Sequence, residues 1–465
     1  MNGLQCPRLL WHTLNAKEEM PEHDIETKFR FEQGHLIEKY AHRLFPGIIN
    51  AEWKKNVSNL INMRMPLSEI MFEHENLKAK ADILNPVDDN QWDIIEIKSS
   101  TSVKSPYYPD MAFQKFCYER WGLKIRKCIL MHLNNEYIRK GDIEPEKLFV
   151  EEDITEDVKE HLQLVEDKVT EMFSVIKGDE PKARIGPHCS DPYTCPLIDE
   201  CWEGIPENNI FNLYWMGEKA WKLFDDGIIS TDDIPDEYRL TPKQEIQINC
   251  EKSGKPHIDK EQIKKFLDSL EYPLYFLDFE TFSTAIPIID GIGPYHKVPF
   301  QFSLHIINSP DSEPEHHSYL SEIKDPRTEL FHNLKELLKD RGSIIAYNAG
   351  FEIGVIRKLC EFFNDKWQVE HRFIDLIAPF KNFHYYHPSQ KGSASLKKVL
   401  PAITGKGYDD LEIKDGSTAY IEYLRVMLGD ASEEEKQKVF RQLDIYCTLD
   451  TQGMVDIIEK LYKLM

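Results

Sequence analysis

The sequence predicts a two-domain α/β protein, and three observations predict it. The chain has 465 residues, more than one typical domain of roughly 100–200 residues holds. Short β-type runs alternate with helical-period stretches in both halves. Each half also carries a strand with charged residues two apart, Glu96-x-Lys98 in one and Asp278-x-Glu280 in the other. Alternation puts such a pair on one sheet face.

The elements follow in order. A helix is predicted over residues 25–44. Strands at 77–84 and 92–97 flank a Pro/Asp/Asn-rich turn at 87–91. A helix near 110–121, a strand at 127–133 and a long amphipathic helix over 154–176 complete the first half. A Gly/Pro-containing loop with three cysteines comes next. Residues 202–269 form helical pieces with Pro/Asp turns. One of them, 210–225, has helix-turn-helix character but no basic recognition face, which favours plain packing. The second half has strands at 274–277, 299–307 and 343–347, and helices at 326–339, 351–363, 433–444 and 446–461. The domain boundaries are therefore 1–205, 206–270 for the connector, and 271–465.

Composition narrows the class. Hydrophobic residues are 41% and aromatics 11%, enough for filled cores. No run of about 18 apolar residues suggests a membrane span. Residues 1–11 lack a signal-peptide layout, so a cytoplasmic location is expected. The net charge of −23 argues against bulk attraction to nucleic acid, which needs clustered Lys and Arg. It leaves room for a local basic groove. Of nine cysteines, Cys117, Cys128, Cys250, Cys360 and Cys447 are scattered in apolar or helical contexts and are expected to pack as core.

Three constellations carry chemistry. In the first, Asp82 and Glu96 could hold Mg²⁺ or Mn²⁺, hard ions that take oxygen ligands. Lys98 could position a water or stabilise developing charge. Gln114 and Tyr118 follow at i,i+4, as do Gly34 and Glu38 upstream. In the second, Cys189-x5-Cys195-x5-Cys201 with Cys6 offers four thiolates, for an iron–sulfur cluster or for zinc. Cys6 lies so near Met1 that a helix expected before it is missing, as from a truncated start. In the third, Asp278, Glu280, Glu352 and Asp450 could hold two metals. Tyr446, at i,i+4 to Asp450, would orient a water. Asp375 is an extra acidic position.

The first set resembles the RecB-like branch of the PD-(D/E)XK nucleases, with their restriction-endonuclease-like fold. The resemblance implies metal binding by Asp82 and Glu96, catalysis by Lys98, and support by Gln114 and Tyr118. Many relatives have His where this chain has Glu38. The split cysteines resemble those of the iron–sulfur members of that branch in layout, though the last three are spaced differently. This implies a 4Fe-4S clasp around the first domain. The third set resembles the DEDD 3′→5′ exonucleases with a Tyr-x3-Asp third motif and an RNase H-like fold. Glu352 departs from the usual Asp. The fused order looks like a bacterial domain-of-unknown-function family.

The expectation is a metal-dependent dual nuclease acting on DNA rather than RNA, on single-stranded or end-containing substrates, in repair, recombination or defence. Two other readings stay open: an RNA-processing exonuclease whose first domain binds, and a nucleic-acid-binding scaffold with degraded sites. No phosphate-binding Gly-x4-Gly-Lys-Ser/Thr loop occurs, so unwinding would fall to a helicase partner. Neither a small-molecule cofactor nor a membrane contact is expected.

Overall fold

A computed structural model of the chain describes residues 1–52, 56–88 and 90–465. It divides into two compact units: Met1–Gly204 with Thr284–His296, and Ile205–Ser283 with Lys297–Met465. Two features depart from the predicted boundaries. The connector expected at 206–270 is part of the second unit, and residues 284–296, predicted in the second domain, fold with the first. Both units are mixed α/β.

The first unit is built on a six-stranded sheet in sequence order: β1 (Ile49–Asn50), β2 (Leu67–His74), β3 (Leu77–Val87), β4 (Gln91–Lys98), β5 (Lys124–Leu133) and β6 (Phe149–Asp153). β2, β3 and β4 pair antiparallel, while β4 and β5 are parallel. A parallel pair needs a crossover, and helix α2 (Tyr107–Trp121) supplies it. It starts three residues before the predicted helix, because Pro109 is tolerated in a first turn. Residue 89 of the predicted 87–91 turn lies outside the described residues. β3 runs three residues further than predicted, so Asp82 sits within the strand rather than at its end.

Helix α1 (Ile25–Ala41) starts at Asp24, whose carboxylate accepts from Thr27 N, a standard N-cap. One cluster packs Phe72, Trp92, Ile94 and Tyr118, with contributions from α3 (Thr155–Lys177). A second packs Ile37 of α1 on Ile83, Ile95 and Ile97, and here Ala285 and Ile286 enter. Ala285 N donates to Gln33 Oε1 at 3.0 Å, and Arg139 to Pro287 O at 2.9 Å. These contacts explain why 284–296 folds with the first unit.

The second unit has a five-stranded sheet of order β9-β8-β7-β10-β11: β7 (Leu274–Phe282), β8 (Val298–Ile307), β9 (Glu315–Leu320), β10 (Ser343–Ala346) and β11 (Phe373–Asp375). β7 outruns the predicted 274–277, so Asp278 and Glu280 lie inside the strand. Its helices include α4 (Arg327–Leu337), α5 (Gly350–Phe363), α6 (Leu396–Thr404), α7 (Gly416–Leu428) and α8 (Glu433–Lys463). The two helices predicted at 433–444 and 446–461 are one. The exposed Ile445 interrupts the apolar pattern, but no Gly or Pro stops the chain there. The segment predicted as helix-turn-helix is a 3₁₀ turn, Ile210–Asn212, and a helix, Glu218–Asp225. Their apolar residues form a local cluster with Ile248, as plain packing requires.

Among the described residues no helix is long and apolar enough to cross a membrane. Cys117, Cys128 and Cys250 are buried and Cys360 half-buried, as core packing predicts. Cys447 is buried too, but its Sγ lies 3.5 Å from Asp278 Oδ2, beside candidate chemistry.

Candidate functional site

In the first unit, strand register assembles the site. Ile83 faces Ile95, so the next pair along is Asp82 and Glu96. Ser68 faces Ile83 and Ile70 faces Ala81, which sets Glu69 level with Asp82. Three carboxylates thus share one rung of three adjacent strands. Like charges directly opposite destabilise a sheet; Lys80 Nζ pairs with Glu69 Oε2 and Lys98 Nζ with Glu96 Oε1, which leaves Asp82 without a lysine partner of its own. Ligand oxygens of Glu38, Glu69 and Asp82 all lie within 4.8 Å of one another. Glu69 carries φ of 56°, a left-handed conformation uncommon outside glycine, and its Oε1 is buried without a hydrogen-bond partner.

Glu96 stands slightly apart from that set. Its oxygens accept from Lys98 Nζ and Gln114 Nε2, both at 2.8 Å. Lys98 also reaches Asp110 at 3.1 Å. Asp82 accepts from Ile97 N at 2.8 Å. Burial, then Glu96, raises the Asp82 carboxyl above its ordinary range, and burial, then Glu69, raises Glu38. Burial alone would lower the Lys98 ammonium, but Glu96 and Asp110 outweigh it and raise it. Lys98 is therefore a fixed cation, suited to holding charge rather than accepting a proton. Tyr118 is buried on α2, its hydroxyl without a partner, and burial and Glu96 push it up.

All the residues predicted for this site converge, and Glu69 and Asp110 join them unpredicted. Asp110 was within reach of spacing, since Asp110, Gln114 and Tyr118 form one i,i+4,i+8 stripe. Glu69 was not, because its place depends on a cross-strand register and a distorted backbone.

The four predicted cysteines line one small pocket with Ala183, Ile185 and Ile198. Cys6 precedes the helix Pro7–Asn15. Cys195 N donates to Cys189 O at 2.8 Å. Arg8 Nη1 lies 3.0 Å from Cys201 Sγ and is held by Glu180 and Glu200. Among the described residues, no three of these sulfurs fall within 4.8 Å of one another.

In the second unit, ligand oxygens of Asp278, Glu280 and Asp450 lie within 4.8 Å of one another. β7 supplies the first two and α8 the third. Tyr408 and Tyr446 both hydrogen-bond Asp450. Glu352, near the start of α5, is 2% exposed, and its Oε2 has no partner. It lies outside the tight set but close enough to raise Asp278. Asp375 Oδ1 already accepts from Asn348 N and Ile377 N, so it serves as a turn cap.

Lys397 and Tyr408 were not predicted. Lys397 Nζ stands 6.0 Å and 5.8 Å from the ring centres of Tyr408 and Tyr446. A Cβ on Gly453 would meet Leu400 Cδ2 at 2.8 Å. The bare glycine lets α6, and with it Lys397, approach α8. No local pattern announces either residue.

This packing has a pH consequence. Burial, then Asp450, pushes Glu280 up to about 8. Burial also pushes Glu352 up to about 8 and Asp450 up to about 6. Unfolded carboxyls titrate near 4. Between about pH 4.5 and 8 the metal-free fold thus holds protons that the unfolded chain has released, and stability falls as pH rises. We expect chelated protein to melt lower at pH 8 than at pH 5. Mn²⁺ should raise the melting temperature more at pH 8, and an equal metal effect at both would contradict this.

Comparison with known proteins gives a family described as a domain of unknown function (DUF2779), matching residues 275–395. The uncharacterized protein MG366 homolog of Mycoplasma pneumoniae is 24% identical over 219 residues, 42% of this chain and 33% of its own length. The uncharacterized protein UU173 of Ureaplasma parvum is 23% identical over 243 residues, 47% of this chain and 35% of its own length. The chain spans about a third of the length of the curated relatives it matches.

Proposed function

We propose that the chain is a metal-dependent nuclease with two phosphodiester-cleaving sites. In this reading the first unit is a RecB-like PD-(D/E)XK nuclease and the second a DEDD-type 3′→5′ exonuclease. The observation that carries it is the pair of carboxylate sets, each drawn within 4.8 Å and each flanked by a lysine. Repelling carboxylates held this close suit divalent cations bound through oxygen.

A divalent ion would supply Lewis acidity and a more acidic bound water. In the first unit Glu38, Glu69 and Asp82 would hold it, with Glu96 at the edge of the set. Lys98, kept charged by Glu96 and Asp110, faces the charge that develops on the phosphate. Gln114 fixes Glu96. In the second unit Asp278, Glu280 and Asp450 would hold metal. Tyr446 and Tyr408 orient Asp450, and Lys397 offsets negative charge near both tyrosines.

We read the four cysteines as an iron–sulfur site rather than a zinc site, because the short Cys-x2–4-Cys knuckles of structural zinc are missing from their spacing. Cys6, Cys189, Cys195 and Cys201 would hold the cluster. Ligation that joins residue 6 to residue 201 turns binding energy into folding energy. We expect Cys195→Ala, purified without air, to lose a brown absorbance near about 400 nm and to fold in lower yield. Colourless wild-type protein with one zinc per chain would overturn the cluster.

The test of function is digestion of end-labelled single- and double-stranded DNA and RNA with Mg²⁺ or Mn²⁺, with and without chelator. Metal-dependent cleavage of DNA is expected. No cleavage of any polymer would leave a binding protein.

A further inference from the structure

We propose that the cavity beside Trp215, in the second unit, binds a free nucleoside 5′-phosphate, with the base on the indole and the phosphate at the start of α6.

Trp215 is displayed at a cost. Its side chain is 84% exposed, where tryptophan is ordinarily well buried. Its φ of 53° is left-handed, an outlier for so bulky a residue. Strain of this kind persists only where the surroundings enforce it, and two buried glutamines of the helix Pro242–Ser253 do so. Tyr214 N donates to Gln247 Oε1 at 2.9 Å, and Gln244 Nε2 donates to Tyr214 O at 2.9 Å. Gln247 Nε2 also donates to Asn212 O at 2.8 Å. The turn is fixed, and the indole stands out from it.

Trp215 lines a cavity of about 450 Å³, within the size range of small-molecule sites. The opposite wall is the segment Lys391–Ser395, which leads into α6. Lys391 and Gly392 both have left-handed backbone, with φ of 48° and 74°. A Cβ on Gly392 would overlap Asn212 O, so glycine is what lets the two walls meet. The chain carries a net charge of −23, yet no carboxylate lines this cavity and two lysines do. Lys391 Nζ is held by Asn208 at 2.7 Å and Glu207 at 3.2 Å. Lys381 is exposed at the rim.

The cavity thus has an aromatic end and an anion-binding end. Ser395 starts α6 without a side-chain bond to the first turn, which leaves amides there open to an acceptor. The Ser393 and Ser395 hydroxyls lie beside them, 3.2 Å apart. Helix-start amides with a lysine at hand suit a phosphate. An exposed indole suits a nucleobase, which stacks through its flat face. Asp278, Glu280, Glu352 and Asp450 do not line the cavity. The first turn of α6 carries Lys397, 5.8 Å from the Tyr446 ring centre, so cavity and carboxylate set share a helix end but no ligand residue. On the exonuclease reading, hydrolysis that leaves the phosphate on the released nucleotide would supply this ligand.

The test is isothermal titration of the full chain with thymidine 5′-phosphate in chelator, which keeps the metal sites empty. Saturable binding is expected, with thymidine and inorganic phosphate each about tenfold weaker or more, since each lacks one end of the ligand. Trp215→Ala should weaken binding about tenfold, the loss of one base–aromatic stack, and Trp215→Phe should restore it. Lys381→Glu should weaken it at least as much. Both side chains are exposed, so the melting temperature should hold in each variant. No saturable binding, or unchanged affinity in both variants, would overturn the site. Tighter binding of oligothymidylate that Trp215→Ala abolishes would also overturn it, because the cavity would then belong to the path of a strand. A chain that binds the nucleotide but trims no polymer leaves the site standing and ends the exonuclease reading. Trimming without nucleotide binding does the reverse.

Discussion

Lys98→Ala is expected to lower cleavage by the first unit about a hundred- to a thousandfold, the range for removing one pre-organised charge-stabilising group. The lysine is fixed on both sides, at 2.8 Å from Glu96 and 3.1 Å from Asp110. It therefore needs no reorganisation as charge develops on the phosphate. Its ammonium is held charged, so the loss should not be recovered by raising the pH, as it would be for a missing base. Asp278→Ala should do the reverse, removing end trimming and sparing the first activity. Electrophoresis of labelled strands separates the two products. Should either single change stop all cleavage, the sites do not act independently and one of them is structural.

The sequence made the elements bearing local patterns legible. Glu96-x-Lys98 lies on a strand and Tyr446-x3-Asp450 on a helix, as their periods require. The cysteine spacing, with Cys6 brought from afar, names the four residues that line one cavity. What was hidden depends on long-range geometry. Glu69 joins Asp82 only through the β2–β3 register and its left-handed backbone. Tyr408 and Lys397 reach Asp450 and Tyr446 from a loop and a helix with no shared period. The 284–296 segment reads as a plain loop between two strands, yet Ala285 and Ile286 complete the core of the first unit. Strand and helix ends also shifted, because Pro109 is tolerated in a first turn and Ile445 does not break α8.

Glu352 is where the sequence departs from its resemblance, and it carries the last expectation. Its carboxylate is buried, and Oε2 has no protein partner. An unpaired buried oxygen of this kind is costly unless something absent from the chain satisfies it. It lies outside the 4.8 Å set of Asp278, Glu280 and Asp450, and if it holds metal its backbone must sit further back than an aspartate's would. Glu352→Asp should therefore shorten the reach and slow trimming, by about a hundredfold if the metal moves by an ångström. Glu352→Gln should cost more, because it removes the charge that balances the ion. Should Glu352→Asp instead speed trimming strongly, the native site is a weakened one and the second unit mainly binds. If neither change matters while Asp450→Ala abolishes trimming, Glu352 is not a ligand. Asp375 would not take its place without losing the two backbone N–H groups it already accepts from. In that outcome Asp278, Glu280 and Asp450 would have to hold the metals alone.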